Sequence, residues 1–248
     1  MPIRPITSGS SHSRKINPKA LLTLTLGLSI HAISAQAQSC QQQEVKLQVL
    51  GSGGPELNDD RASSSYLIWH KNKAKVLIDA GPGSSVNFGA AQADFADLKV
   101  VAYHIKAQNI PLTPIKQHSL KIDEDITITA TPVHHGPISA LAWRVDIDGC
   151  GITFSGDMNN KFNVLAALGK DSDILVMHNA VPQDASGAAI NLHMRPVEIG
   201  KIAQQANAKT VLLSHFMNRT INDNAATLGY IRQNFAGEVK MATDMATF

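Results

Sequence analysis

Nine short runs rich in β-branched and aromatic residues, separated by turn residues, constrain this chain more than any other feature. They lie at Val45–Leu50, Tyr66–Trp69, Lys75–Ile78, Leu98–Ala102, Ile126–Pro132, Ala140–Ile147, Ile152–Phe154, Ile174–Val176 and Thr210–Leu213. Such runs read as strands. Helical spacing of apolar residues appears mostly later, at Lys161–Leu168, Pro196–Ala206 and Asn222–Phe235, with Pro196 placed as the first residue of its helix. Strands first, then helices between strands, predict an α/β (α+β) layer architecture in which helices pack outside one or two sheets. The interval Asn87–Lys121 has the weakest pattern.

The N-terminus has a different character. Arg4, Arg14, Lys15 and Lys19 precede the apolar run Ala20–Ile33, which leads to Ala35-Gln36-Ala37. That order predicts a secretory signal peptide over residues 1–37 and a single domain over 38–248. The apolar run is interrupted by Thr23, Thr25, Ser29 and His31, and it is shorter than the roughly 20 residues a membrane span needs. Export to the periplasm or the medium is therefore expected, with no membrane span after cleavage. Four of the 22 basic residues and none of the 20 acidic ones lie in 1–37, so the mature charge is 18 − 20 = −2. No Lys/Arg cluster remains, which argues against nucleic-acid binding and leaves a small molecule as the expected partner. Oligomeric state cannot be read from the pattern. The two cysteines, Cys40 and Cys150, would meet an oxidising compartment, and their pairing is expected.

The chemistry gathers at strand ends. His134-His135-Gly136, Ser155-Gly156-Asp157, His178-Asn179 and Ser214-His215-Phe216 follow four successive β-rich runs. Each alone is an ordinary turn. Together, imidazoles and a carboxylate at successive strand ends supply the nitrogen and oxygen donors that zinc and similar divalent ions accept. Gly51-Ser52-Gly53-Gly54 lacks the Gly-Lys-Ser/Thr ending of a phosphate loop, and Ser63–Ser65 have no Gly-x-Ser-x-Gly setting.

Taken in order, these segments resemble the metallo-β-lactamase superfamily, especially its ribonuclease Z-like and arylsulfatase-like metallohydrolases. The segments are Leu50–Pro55, Arg61–Ser65, Leu77–Gly83, His134–Gly136, Phe154–Asp157, Asn191–His193 and Leu213–Phe216. The resemblance implies an αββα sandwich and a metal-dependent hydrolase of ester or phosphodiester class. Within it His135 matches a ligand of the first metal, with the adjacent His134 as the alternative. Asp157 matches the carboxylate that bridges two metals, and His215 a ligand of the second. His193 resembles the family's proton donor, His178 a strand-end histidine of unassigned role, and Asp79 a carboxylate supporting the metal loop. One or two zinc ions are implied.

One departure stands out. The family's His-x-His-x-Asp-His signature is absent: the ten histidines are at 12, 31, 70, 104, 118, 134, 135, 178, 193 and 215, and no two are separated by a single residue. An internal deletion near 101–104 accounts for the absence. A dinuclear site of the family draws on seven protein ligands, of which the matching positions are His135, Asp157 and His215. The alternatives to a hydrolase are a non-catalytic exported binding module and an unstable deletion product. His104, a remnant or a flank of the missing loop, is not expected to be a ligand.

Overall fold

The computed structural model describes residues 40–56, 58–105 and 116–248. The predicted signal segment lies outside the described residues, apart from which Ala37–Phe248 clusters as one compact unit. Among the described residues no helix is long and apolar enough to cross a membrane.

The chain order is β1 (Val45–Gly51), β2 (Ser65–His70), β3 (Lys73–Ile78), α1 (Ser84–Ala90), β4 (Val100–Ala102), β5 (His118–Lys121), β6 (Ile126–His135), β7 (Ile138–Ile147), β8 (Cys150–Phe154), α2 (Leu165–Leu168), β9 (Ile174–His178), α3 (Ala188–Leu192), α4 (Pro196–Gln205), β10 (Thr210–Ser214), α5 (Asn224–Arg232) and β11 (Glu238–Met241). All nine expected strands are present. β5, β11, α1 and α3 are additional; runs as short as HSLK and EVKM, with their mixed exposure, carry too little apolar periodicity to be read from sequence. The expected helix over Lys161–Leu168 contracts to Leu165–Leu168, since Asn163, at a φ of 50°, leaves the helical region just before it.

The strands form two sheets, one ordered β1-β2-β3-β4 and the other β11-β10-β9-β8-β7-β6-β5. β8, β9, β10 and β11 run parallel to one another, so the ends of β8, β9 and β10 emerge on the same edge of the second sheet. Alternation along β1 sends Val45, Leu47 and Val49 into a large core shared with Ile126, Val145, Ile152 and Phe154. Tyr66 meets Phe154 across that core with ring centroids 5.3 Å apart. Period-2 alternation therefore faces the two sheets inward on each other. On the far side of the first sheet Leu50, Leu67 and Leu77 pack with Phe88 of α1. α4 buries Ile199, Ile202 and Ala203 in the large core. This is the expected αββα sandwich.

Cys40 and Cys150 are joined by a disulfide that spans 110 residues and ties the first described residue to the start of β8. Where the sequence places its deletion, β4 ends at Ala102, and within three residues the chain crosses to the second sheet. Leu141 N–H donates to the His104 carbonyl at 2.7 Å, and Ile105 bridges Ala140 of β7. The crossing carries His104 over the strand ends below.

Candidate metal centre

Three strand-end turns aim their side chains at one point. Asp79 after β3 and His215 after β10 adopt φ of 59° and 57°, a left-handed backbone that costs a non-glycine residue on the order of 1–3 kcal/mol and concentrates at functional sites. Gly156, between β8 and Asp157, sits at φ 57°, and a Cβ there would come within 2.9 Å of both the Leu141 carbonyl oxygen and His104 Cβ. Only glycine suits this turn. The β8–β9–β10 edge is held in step by Ser155 N–H to the Val176 carbonyl at 2.9 Å and Asn179 N–H to the Ser214 carbonyl at 2.8 Å.

Asp157 lies at the centre and is buried. Its Oδ1 is 2.8 Å from His178 Nδ1, 3.3 Å from His215 Nε2 and 3.6 Å from His193 Nδ1. Its Oδ2 is 3.4 Å from His104 Nε2 and 3.8 Å from His135 Nε2. The expected ligands His135, Asp157 and His215 thus converge, but not as one triad. The donor atoms fall into two groups that share Asp157, one with His135 and His193, the other with His178 and His215. His134 turns away, as strand alternation requires: its Nδ1 contacts Asn159 Oδ1 at 3.1 Å.

The protonation of two rings follows from their outer partners. His135 Nδ1 stands 2.9 Å from the Leu192 carbonyl, which only accepts, so Nδ1 carries a proton. Ser64 Oγ gives its single proton to the Gly53 carbonyl at 3.0 Å, so it accepts from His215 Nδ1 at 2.8 Å. In the neutral rings both Nε2 atoms present lone pairs toward Asp157. Burial holds His215 well below the ordinary histidine value, with Asp157 opposing. For Asp157 burial opposes ionisation, yet the surrounding imidazoles, His215, His104 and His178 foremost, hold it well below the usual carboxylate range. Of this coupled pair the carboxylate is the charged member. Burial also lowers His193 to about 4, and its Nδ1 is buried without a hydrogen-bond partner. Unprotonated nitrogens around one buried carboxylate are a donor set for a divalent cation of the zinc class, so the residues present fit such an ion.

His104, not expected to be a ligand, nevertheless lies beside the candidate ligands. Its Nδ1 is 2.9 Å from Asp79 Oδ1 and its Nε2 faces Asp157, while its backbone N–H donates to Asp79 Oδ1 at 2.7 Å. Its ring thus sits between two carboxylates. Burial disfavours its protonated form, but Asp157 and Asp79 outweigh burial and raise it to about 10. The strand-end rule that singled out the other histidines would have found it, since it follows β4 by two residues.

A cavity of about 470 Å³ opens above, floored by His135, Asp157 and His215 and walled by Pro82, Tyr103 and Ile105. That volume suits a small molecule. His193 lines a neighbouring cavity of about 330 Å³ instead.

Residues 89–216 match the family model described as the beta-lactamase superfamily domain. The chain belongs to this family. A beta-lactamase superfamily relative, the probable metallo-hydrolase YhfI of Bacillus subtilis (strain 168), is 23% identical over 242 residues, covering 80% of this chain and 97% of YhfI. The crystal structure of YhfI matches with a TM-score of 0.68 at 19% identity, over 82% of this chain and 98% of that one. Human tRNase Z, short form, matches with a TM-score of 0.62 at 15% identity, over 82% and 98%. Zn(2+)-bound PqqB from Methylobacterium extorquens matches with a TM-score of 0.59 at 10% identity, over 82% and 99%. These likenesses show the metallo-β-lactamase fold.

Proposed function

We propose that this chain is an exported metal-dependent hydrolase that cleaves a small ester or phosphodiester, with zinc held by His135, Asp157 and His215. The observation that carries the reading is the pair of anchored imidazoles whose lone pairs face one ionised, buried carboxylate. Membership of the beta-lactamase superfamily, the metallo-hydrolase name of its relative YhfI and the zinc of its structural neighbour PqqB support the choice of chemistry and of ion.

A bound divalent ion supplies positive charge for a developing oxyanion and makes water more acidic. Asp157, kept ionised, draws that cation to the cavity floor. Ser64 and the Leu192 carbonyl hold the His215 and His135 rings in their binding orientation. His193, neutral at pH 7, reaches the floor of the substrate cavity from its neighbouring cavity, its unpartnered Nδ1 standing 3.6 Å from Asp157 Oδ1, where it would take up a proton from water and return it to the leaving group. Pro82, Tyr103 and Ile105 exclude bulk water around the substrate and receive its apolar part.

Export is supported by the charged, then apolar, then small-residue order of 1–37 and by the disulfide, which persists in oxidising compartments. Secreted material should begin at Gln38 on N-terminal sequencing; an intact Met1 would refute export. The hydrolase reading is tested with p-nitrophenyl acetate and bis-p-nitrophenyl phosphate on zinc-loaded protein. Turnover that a chelator stops, that zinc restores and that Asp157→Ala lacks is the expected result. Folded, zinc-loaded protein that hydrolyses no member of an ester and phosphodiester panel would count for a binding module.

A further inference from the structure

His178 has no assigned part in this chemistry, yet it is anchored as the candidate ligands are. It ends β9, where the parallel register sets it opposite Ser214, the residue before His215. Its backbone N–H donates to Ser155 Oγ at 3.1 Å, which fixes it to the turn that delivers Asp157. Its ring stacks on that of His215, with centroids 4.3 Å apart and planes 7° apart. On the outer side Nε2 lies 3.3 Å from Tyr66 Oη. That hydroxyl is fully buried and gives its only proton to Ser214 Oγ at 2.9 Å, so its oxygen is left to accept from Nε2–H. The inner nitrogen, Nδ1, then faces Asp157 Oδ1 at 2.8 Å. His135, His215 and His178 share one plan: an acceptor holds the outer nitrogen, and the inner nitrogen meets the same carboxylate. A ligand imidazole is oriented in this way.

We propose that His178 is itself a metal ligand, forming with Asp157 and His215 a three-residue nest that takes over from the absent His-x-His-x-Asp-His loop. The donor atoms of these three residues lie within 4.8 Å of one another and all three residues are buried. Two imidazoles and one carboxylate leave a position open, the composition of a catalytic site with three protein ligands. The 2.8 Å between Nδ1 and Oδ1 brings a ring nitrogen and a carboxylate oxygen together where both can face one cation. The inference rests on the metal-dependent reading above but adds a ligand for which the resemblance gives no role.

The test is a Co²⁺ titration of the metal-free protein followed by its visible absorption bands, with wild type, His178→Ala, His178→Asn and His215→Ala compared, and with thermal melts of each metal-free variant. Asn keeps an amide donor toward Asp157 but is a poor ligand, so it separates holding the carboxylate from holding the ion. Both His178 variants are expected to bind Co²⁺ at least about 100-fold more weakly than wild type, more than the loss of an outer support costs, and to show altered bands. Wild-type affinity and bands in His178→Asn, with binding lost in His215→Ala, would overturn the ligand role while leaving the metal reading intact. A wild-type chain that takes up no Co²⁺ and no Zn²⁺ would overturn the metal reading itself. If His178→Ala fails to melt cooperatively, His178→Asn decides.

Discussion

The two sheets divide the work of the site unequally. The second sheet places Asp157, His178 and His215 at the adjacent, parallel ends of β8, β9 and β10, and His135 at the end of β6. The first sheet contributes supports: Ser64 behind His215, Tyr66 behind His178, and Asp79 behind His104. One side carries inward-facing donors on a register fixed by backbone hydrogen bonds; the other holds their outer edges. The difference explains how a chain without the family's signature loop keeps a convergent donor set, because no member of that set depends on a loop between the sheets except His104.

Changes on the second sheet should therefore abolish binding and changes on the first should only weaken it. The largest effect is expected from Asp157→Ala, which leaves three or more imidazoles with no shared carboxylate; metal retained through gel filtration falls to background. Retention of wild-type metal would break the division at its centre. Next is Gly156→Ala. The left-handed backbone and the contact with Leu141 O predict a loss of about 2–3 kcal/mol in denaturant unfolding. An unchanged midpoint would show that this turn is not what positions Asp157.

Ser64→Ala removes a support and no donor. Metal affinity should fall about 10–100-fold with stoichiometry unchanged, as measured by competition with a chromophoric chelator. A fall as deep as that of Asp157→Ala would erase the distinction between the sheets. The smallest effect belongs to the exposed edge of the first sheet: Val101, 46% exposed on β4, should change to Ser with less than about 0.5 kcal/mol effect on stability and none on metal. A large effect there would mean that β4 makes a contact outside the described residues.

How far the sequence could be read follows from the same geometry. Strand ends are legible because period-2 alternation and a following turn mark them, which brings out His135, Asp157, His178 and His215; His193, at the C-terminal cap of α3, comes only from the family resemblance. Alternation also separates His134 from His135, though only once the ends of β6 are known. His104 also follows a strand end, two residues after β4, but the sequence does not show what brings it to Asp79 and Asp157. Its position depends on the short crossing from β4 to β7, a tertiary event with no local periodicity. The grouping of donors into two sets around Asp157 was hidden for the same reason, since sequence order gives neither the register of β9 on β10 nor the stacking of His178 on His215. β5 and β11 were missed because edge strands of four residues bury too little to show an apolar pattern.

The central claim is that these strand ends hold a metal without the signature loop. Elemental mass spectrometry on the purified protein, isolated without chelator and compared with Asp157→Ala, tests it most directly. About one or two zinc-class ions per wild-type chain and none in the variant is the predicted result. A cooperatively folded wild-type protein that carries no metal, and takes none up from excess zinc, would contradict it and identify a fold that retains the shape of a hydrolase without its centre.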